Sequence, residues 1–336
     1  MKRTSVRRGA VGLALGALAA TGLASIAAPS HAAVGNPSLS ANSSFHNEMG
    51  TCTPSANLPD PADAPWSDNG FPVSLATSEA GTVTNDGNPV DVTDVKSSAV
   101  GTVTASPFTG GATTIKLTGS ASASAIPRLA ASSCDAHVSA YANADGEYTL
   151  TQPMWATITV TSSGTGSATI SGGVSTNDSE NFLSGGSRGK GTLSVYLPAG
   201  KVQVSLTAAA EAHGRPDGTH ASTVSGGVTI DLVPAGTGSA VTSKAKGKRY
   251  VGLGSRDCAT GSVAATVTKK AKKSASQITF KVDGAKVAGL KGKKIKKIKK
   301  RTLALAAPKA ADVTVTAKIK LKNGMRAEVS RDYLGC

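Results

Sequence analysis

The chain has 336 residues, 38 of them glycine, with 39% hydrophobic but only 4% aromatic side chains and a net charge of +15. That length supports two or three domains with genuine cores. No apolar stretch near the C-terminus is long enough to span a bilayer, so a membrane span is excluded there. The charge is laid out unevenly: residues 33–240 carry a net −9 and residues 241–336 a net +20. A single globular unit seldom sorts charge this way, so the asymmetry marks a domain boundary and suggests a polyanionic partner for the tail.

In chain order, residues 1–32 read as a secretory signal peptide. Lys2, Arg3, Arg7 and Arg8 precede an apolar run from Gly9 to Ala28, and Ser30-His31-Ala32 supplies the small residues of a cleavage site after Ala32. Arg7-Arg8 is followed by Gly9-Ala10-Val11, a poor match to a twin-arginine signal. The expected location is secreted or extracellular, including attachment to a cell wall. Residues 33–66, punctuated by Pro37, Pro54, Pro59, Pro61 and Pro65, are expected to form an extended arm pinned at Cys52.

Residues 67–233 are expected to form an acidic β-sandwich. Alternation of apolar and polar residues recurs in Thr113–Thr118, Ala156–Thr161, Ser167–Val174 and Thr223–Leu232, and helical periodicity is nearly absent. Leu193, Val195 and Leu197 alternate before Pro198-Ala199-Gly200, and Val202, Val204 and Leu206 after it, which predicts a hairpin. Residues 234–256, small and polar, read as a linker. Residues 257–336 are expected to form a basic seven-stranded module with a hairpin at Asp283-Gly284. The fold class is all-β throughout.

Two stretches resemble known families. The segment Gly146-Glu147-Tyr148-Thr149-Leu150 through Ile158-Thr159-Val160, with Leu193–Leu206, resembles the jelly-roll modules that follow secreted bacterial peptidases, the pre-peptidase-like sandwiches. The run from Gln277 to Val287, with the terminal Arg331-Asp332-Tyr333-Leu334-Gly335-Cys336, resembles immunoglobulin-like domains of bacterial secreted proteins. These resemblances imply a jelly-roll-like sandwich followed by an immunoglobulin-like one, and a spacer or adhesive role without catalysis.

Four cysteines lie beyond the signal: Cys52, Cys134, Cys258 and Cys336. None has metal-site spacing, and export favours disulfides. Of the three pairings, Cys52–Cys134 with Cys258–Cys336 keeps each bridge on one side of the charge boundary. No cofactor is expected.

The densest basic stretch is Lys291, Lys293, Lys294, Lys296, Lys297, Lys299, Lys300 and Arg301, interrupted by Ile295 and Ile298. A spacing of three fits neither a regular strand nor a long helix, so a loop or twisted edge anchored by the two isoleucines is expected. Lys269, Lys270, Lys272 and Lys273 form a second patch in a turn. Lysine-rich patches give point-charge contacts of low specificity. They suit an anionic cell-wall polymer or another extracellular polyanion, or intramolecular docking on the acidic domain; the bland reading is an edge strand kept soluble by lysines. Trp66 and Trp155 are candidate carbohydrate-stacking platforms.

No metal is expected. Asn85, Asp86, Asn88, Asp91 and Asp94 crowd one loop and bear on calcium, and Glu211, His213, Asp217 and His220 lie near one hairpin with only two imidazoles. No His-Glu-x-x-His occurs, His46-Asn47-Glu48 is half of a zinc-deaminase signature, and Gly185–Lys190 lacks the spacing of a phosphate loop. The expected function is non-catalytic envelope or extracellular binding and adhesion. A secreted hydrolase with an appended binding module, or a structural spacer, are the alternatives.

Overall fold

A computed structural model describes residues 34–47, 52–55, 62–298 and 302–336. The expected signal, residues 1–32, lies outside them. The protein is all-β, and its antiparallel sheets stack as β-sandwiches.

The first sandwich runs through β1 (Gly35–Asn47), β2 (Cys52–Pro54), β3 (Ala62–Ala64), β4 (Val73–Asn85), β5 (Asn88–Ala105), β6 (Thr113–Pro127) and β7 (Ala136–Leu150). It continues with β8 (Met154–Thr165), β9 (Ser167–Thr176), β10 (Ser179–Ser184), β11 (Gly189–Leu197), β12 (Gly200–His213) and β13 (Ala221–Pro234). One sheet has the order β10-β9-β12-β7-β1-β3 and the other β11-β8-β13-β6-β5-β4-β2. Inward positions alternate with outward ones along β7, where Ala136, Val138, Ala140, Ala142 and Ala144 are all buried.

Much of this interior is alanine, which lets the sheets close tightly. At Gly101 on β5 a Cβ would lie 2.9 Å from the Ala142 Cβ of the facing sheet, so any side chain there would push the layers apart.

Two expectations change here. The described part of the extended arm is a full member of the sandwich: β1 lies between β7 and β3, with Leu39, Ala41 and Phe45 facing the core. Pro37 coincides with the register shift between Gly35 and Ser38, where a residue without an N–H is tolerated. The expected hairpin at Pro198-Ala199 is also corrected, because β11 pairs with β8 in one sheet and β12 with β7 and β9 in the other. The turn carries the chain across the sandwich. Alternation specifies which face is buried but not which strand is the neighbour.

The C-terminal module comprises β14 (Thr242–Lys244), β15 (Val251–Asp257), β16 (Ser262–Val267), α1 (Lys269–Ser274), β17 (Ala275–Val282), β18 (Ala285–Lys291), α2 (Lys293–Lys297), β19 (Thr302–Leu305), β20 (Val313–Leu321) and β21 (Arg326–Tyr333). Its sheets, β14-β21-β20-β17-β18 and β15-β16-β19, enclose a second core around Phe280, Val315, Ile319 and Tyr333. The β17–β18 hairpin turns at Asp283-Gly284 as expected, both with positive φ (47° and 81°).

The expected linker is largely built into this module, since β14 and most of β15 come from it. Its remainder is hydrogen-bonded to the C-terminal strand: Ser239 N donates to Asp332 O, Leu334 N to Thr237 O and Gly236 N to Gly335 O. Arg331 donates to Gly238 O, Ser239 O, Leu253 O and Gly254 O. Backbone hydrogen bonding is indifferent to the small polar side chains that made the segment look like a tether.

Disulfides join Cys52 to Cys134 and Cys258 to Cys336, the pairing expected from the charge boundary. Cys52 on β2 and Cys134 just before β7 belong to opposite sheets of the first sandwich. With a separation of 82 residues, the Cys52–Cys134 bridge contributes about 4–5 kcal/mol by loop-closure entropy. The Cys52→Ser/Cys134→Ser variant should lose about that much in denaturant unfolding, and non-reducing peptide mapping should recover a Cys52–Cys134 peptide. An unchanged midpoint would show that the bridge does not brace the fold.

Candidate polyanion-binding face of the C-terminal module

The lysine runs fold into two short helices built on one pattern. In α1 the sequence Lys269-Lys270-Ala271-Lys272-Lys273 buries only Ala271, and in α2 Lys293-Lys294-Ile295-Lys296-Lys297 buries only Ile295. Thr268 caps α1 by accepting from Ala271 N. Each central apolar residue sits in the second core, and Ile298 packs against that core as well. The isoleucines are thus anchors as expected. Of the loop or twisted edge expected over 291–301, Lys291 ends the edge strand β18 and Lys293–Lys297 form a helical turn, as does the turn expected at 269–273; a single buried residue suffices to pin a helix too short to show periodicity. Lys299, Lys300 and Arg301 lie outside the described residues.

The two helices adjoin. Lys272 Nζ donates to Ile298 O at 2.7 Å, and Lys322 Nζ donates to Lys273 O at 2.5 Å. The neighbouring sheet extends the positive surface, with Lys244, Lys318, Lys320 and Arg326 exposed on its outer face beside Gln277 and Thr279. One carboxylate, Glu328, sits among them, 3.7 Å from Lys318 Nζ.

The acidic residues of the module gather at its other end. β17 and β20 run antiparallel, with Ala275 opposite Leu321 at the lysine end and Val282 opposite Val315 at the other. At that second end Asp283 accepts from Thr314 N, Asp332 from Thr314 Oγ1, and Asp312 from Gly335 N. Asp257 lies on the segment leading to Cys258, and its hydrogen bonds from Thr260 and Ala259 lower its pKa. The module's carboxylates are therefore gathered at one pole, acidic in that sense but shared with Arg256, Lys281, Lys309 and Arg331, while the lysine pole holds few carboxylates. The nine residues of β20 correspond to about 30 Å at ~3.3 Å per residue, several times the ~8 Å Debye length at physiological ionic strength. Among the described carboxylates of the module, Glu328 alone lies close enough to neutralise part of the basic pole.

The first sandwich joins at the acidic pole. Trp155 Nε1 donates to Gly335 O at 2.9 Å, and Ala235 N donates to Pro153 O at 2.9 Å. Among the described residues no ion pair joins the acidic sandwich to the basic module.

Both tryptophans are corrected as sugar platforms. Trp66 is 3% exposed and its Nε1 donates to Ser38 O and Asp145 O, so it is a core residue. Trp155 does point outward as the strand phase requires, but it is half-buried, packed edge-on to Tyr196 and covered at the junction by Gly335. Burial by a second module leaves no signal in the phase of the strand.

The acidic stretch at 85–94, expected as one loop, is the tight β4–β5 turn with Asp91 and Asp94 on β5, and its aspartates accept from protein donors. Asp91, 2% exposed, accepts from Ser132 Oγ, Ser133 N and Ser133 Oγ. Asp94 takes a two-pronged contact from Arg128, and Asp86 accepts from Thr53 Oγ1. Gly185-Gly186-Ser187-Arg188-Gly189 spells Gly-x-Ser-x-Gly, yet it connects β10 to β11, strand to strand, without the strand-to-helix turn that presents a nucleophile.

No protein-family model matches the chain, and no curated protein does either. Among the described residues no helix is long and apolar enough to cross a membrane.

Burial alone would raise the Asp91 pKa, but hydrogen bonds from Ser132, Ser133 and Asn85 hold it below the usual aspartate value. A depressed folded-state pKa stabilises the fold above about pH 4, the unfolded value, and that contribution is lost as the pH falls further. Asp91→Ala should cost about 2–3 kcal/mol at pH 7 by stranding buried donors. Urea midpoints taken from pH 6 to pH 3 should fall more steeply for the wild type than for Asp91→Asn; parallel curves would refute the assignment.

Proposed function

We propose that this protein is a secreted, non-catalytic binding protein that attaches electrostatically to an extracellular polyanion through the basic pole of its C-terminal module. The carrying observation is the separation of the densest lysines from most of the carboxylates within that module. Nine lysines of α1, α2 and the end of β18 surround two buried anchors at one pole, while four of the module's five carboxylates lie toward the other. A shield against edge aggregation needs lysines along an edge strand; here they also occupy two helical turns and the open face of a sheet.

The placement of the junction favours an external partner over docking on the acidic sandwich. The first sandwich meets the module at the acidic pole, leaving the basic one about a strand's length away. A face rich in lysine and poor in arginine binds by charge density, which suits a repeating phosphate or carboxylate polymer such as an anionic cell-wall polymer. Within this reading the C-terminal module is an immunoglobulin-like adhesive unit and the first sandwich a jelly-roll-like spacer of the pre-peptidase kind, as their sequence resemblances imply. The two disulfides fit an oxidising, extracellular setting.

The mature chain should be retained on purified anionic wall polymer at 50 mM salt, with affinity falling linearly in log–log as salt rises. Lys293, Lys294, Lys296 and Lys297 changed together to Gln should weaken binding by about 10²–10³-fold, at about 1 kcal/mol per lysine, and flatten the salt slope. Wild-type affinity in that variant, or no retention of the wild type at low salt, would eliminate the proposal.

A further inference from the structure

A second cluster lies on the first sandwich, well away from the lysines. On the outward face of the sheet containing β7 and β12, His137 stands directly opposite His213, and Glu211 lies two residues back on the same face of β12. The two imidazoles stack with centroids 4.4 Å apart and an interplanar angle of 5°. One ligand atom from each of His137, Glu211 and His213 lies within 4.8 Å of the others.

Behind His213 is a buried carboxylate. Asp135, 3% exposed, places Oδ1 3.8 Å from His213 Nδ1, and among the described residues neither atom has a hydrogen-bond partner. His213 Nδ1 is itself buried, as is His137 Nε2. A carboxylate that hydrogen-bonds one imidazole nitrogen fixes the tautomer that presents the other to a cation; Asp135, whose Oδ2 also lies 4.0 Å from Arg215 Nη1, takes that role once His213 closes the 3.8 Å gap. The supports are rigid: Cys134, next to Asp135, is disulfide-bonded, and Gly214 N donates to Ala136 O, locking the end of β12 against β7.

We propose that His137, Glu211 and His213 form a binding site for a borderline divalent transition ion of the Zn²⁺ class, with Asp135 as a positioning residue for His213. Two nitrogens and one carboxylate oxygen suit such an ion better than Ca²⁺ or Mg²⁺, which take all-oxygen sets. Metal–ligand bonds of ~2.0–2.2 Å require the three atoms to draw closer and the two stacked rings to rotate out of parallel so that both nitrogens face one point, with the exposed Glu211 side chain closing the third side. Three protein ligands leave a coordination position to water or an external ligand. Sequence reasoning grouped Glu211 and His213 with Asp217 and His220. The structure instead pairs Asp217 with Arg215 and turns His220 Nε2 to Arg215 O. The missing ligand, His137, comes from a neighbouring strand that only sheet register identifies.

Calorimetric titration of the mature chain with Zn²⁺ in chelator-free buffer should show one equivalent bound with micromolar or tighter affinity. His137→Ala and His213→Gln should each weaken it at least ~30-fold and Glu211→Gln about 10-fold, while His220→Ala leaves it unchanged. Asp135→Asn should weaken it about 10-fold or more with the stoichiometry retained. Co²⁺ substitution supplies an independent readout, since its visible d–d bands should shift in His137→Ala and in His213→Gln, each checked for folding by circular dichroism. No saturable binding below ~1 mM, or wild-type affinity in folded His137→Ala/His213→Gln, would overturn the site.

Discussion

The first sandwich is held together by close approach over small side chains. With alanine and glycine filling so many inward positions, each residue buries little apolar area, and stability must come from the number of strands and the tightness of contact. That constraint explains the long strands, the recruitment of β1 and β3 from a segment that looks unfoldable in sequence, and the disulfide from Cys52 to Cys134 across the two layers. It also fixes the backbones of β7 and β12, which position His137, Glu211 and His213.

The C-terminal module obeys a different constraint. Its core is more conventional, built on Phe280, Ile278, Val315, Ile319 and Tyr333, and what distinguishes it is the direction of its charge. Lysines placed on both helical turns and on the open sheet would repel one another wherever they were crowded. Spreading them over one pole, with the carboxylates committed to turn and terminal hydrogen bonds at the other, keeps the repulsion outside the folded interior. The same arrangement leaves a positive surface that, apart from Glu328 beside Lys318, lies beyond the screening reach of the module's other carboxylates.

The junction between the two sandwiches is built largely from side-chain donors on backbone carbonyls. Arg256, buried beneath the last strand, donates to Pro308 O, Lys309 O, Ala311 O and Leu334 O, and so gathers the chain around Cys336. Gly236 passes so near the second disulfide that a Cβ there would lie 2.8 Å from Cys258 Sγ. Residues that would flex freely in isolation are fixed because every neighbour offers a carbonyl or an amide in register.

Alternation, turn residues and charge determined by themselves that this is an all-β chain, where most strands fall, that Asp283-Gly284 makes a hairpin, and that positive charge belongs to the last hundred residues. These features are local: period-two patterning and turn chemistry act between near neighbours. Tertiary structure alone decided that β11 and β12 separate into opposite sheets, that Trp66 is buried and Trp155 covered, and that the apparent linker is fastened to β21. It alone brought His137 beside His213 and divided the module into a basic and an acidic pole. Those outcomes depend on which strands pair, and pairing between distant strands is set by backbone hydrogen bonds and layer packing that leave almost no trace in the order of the side chains.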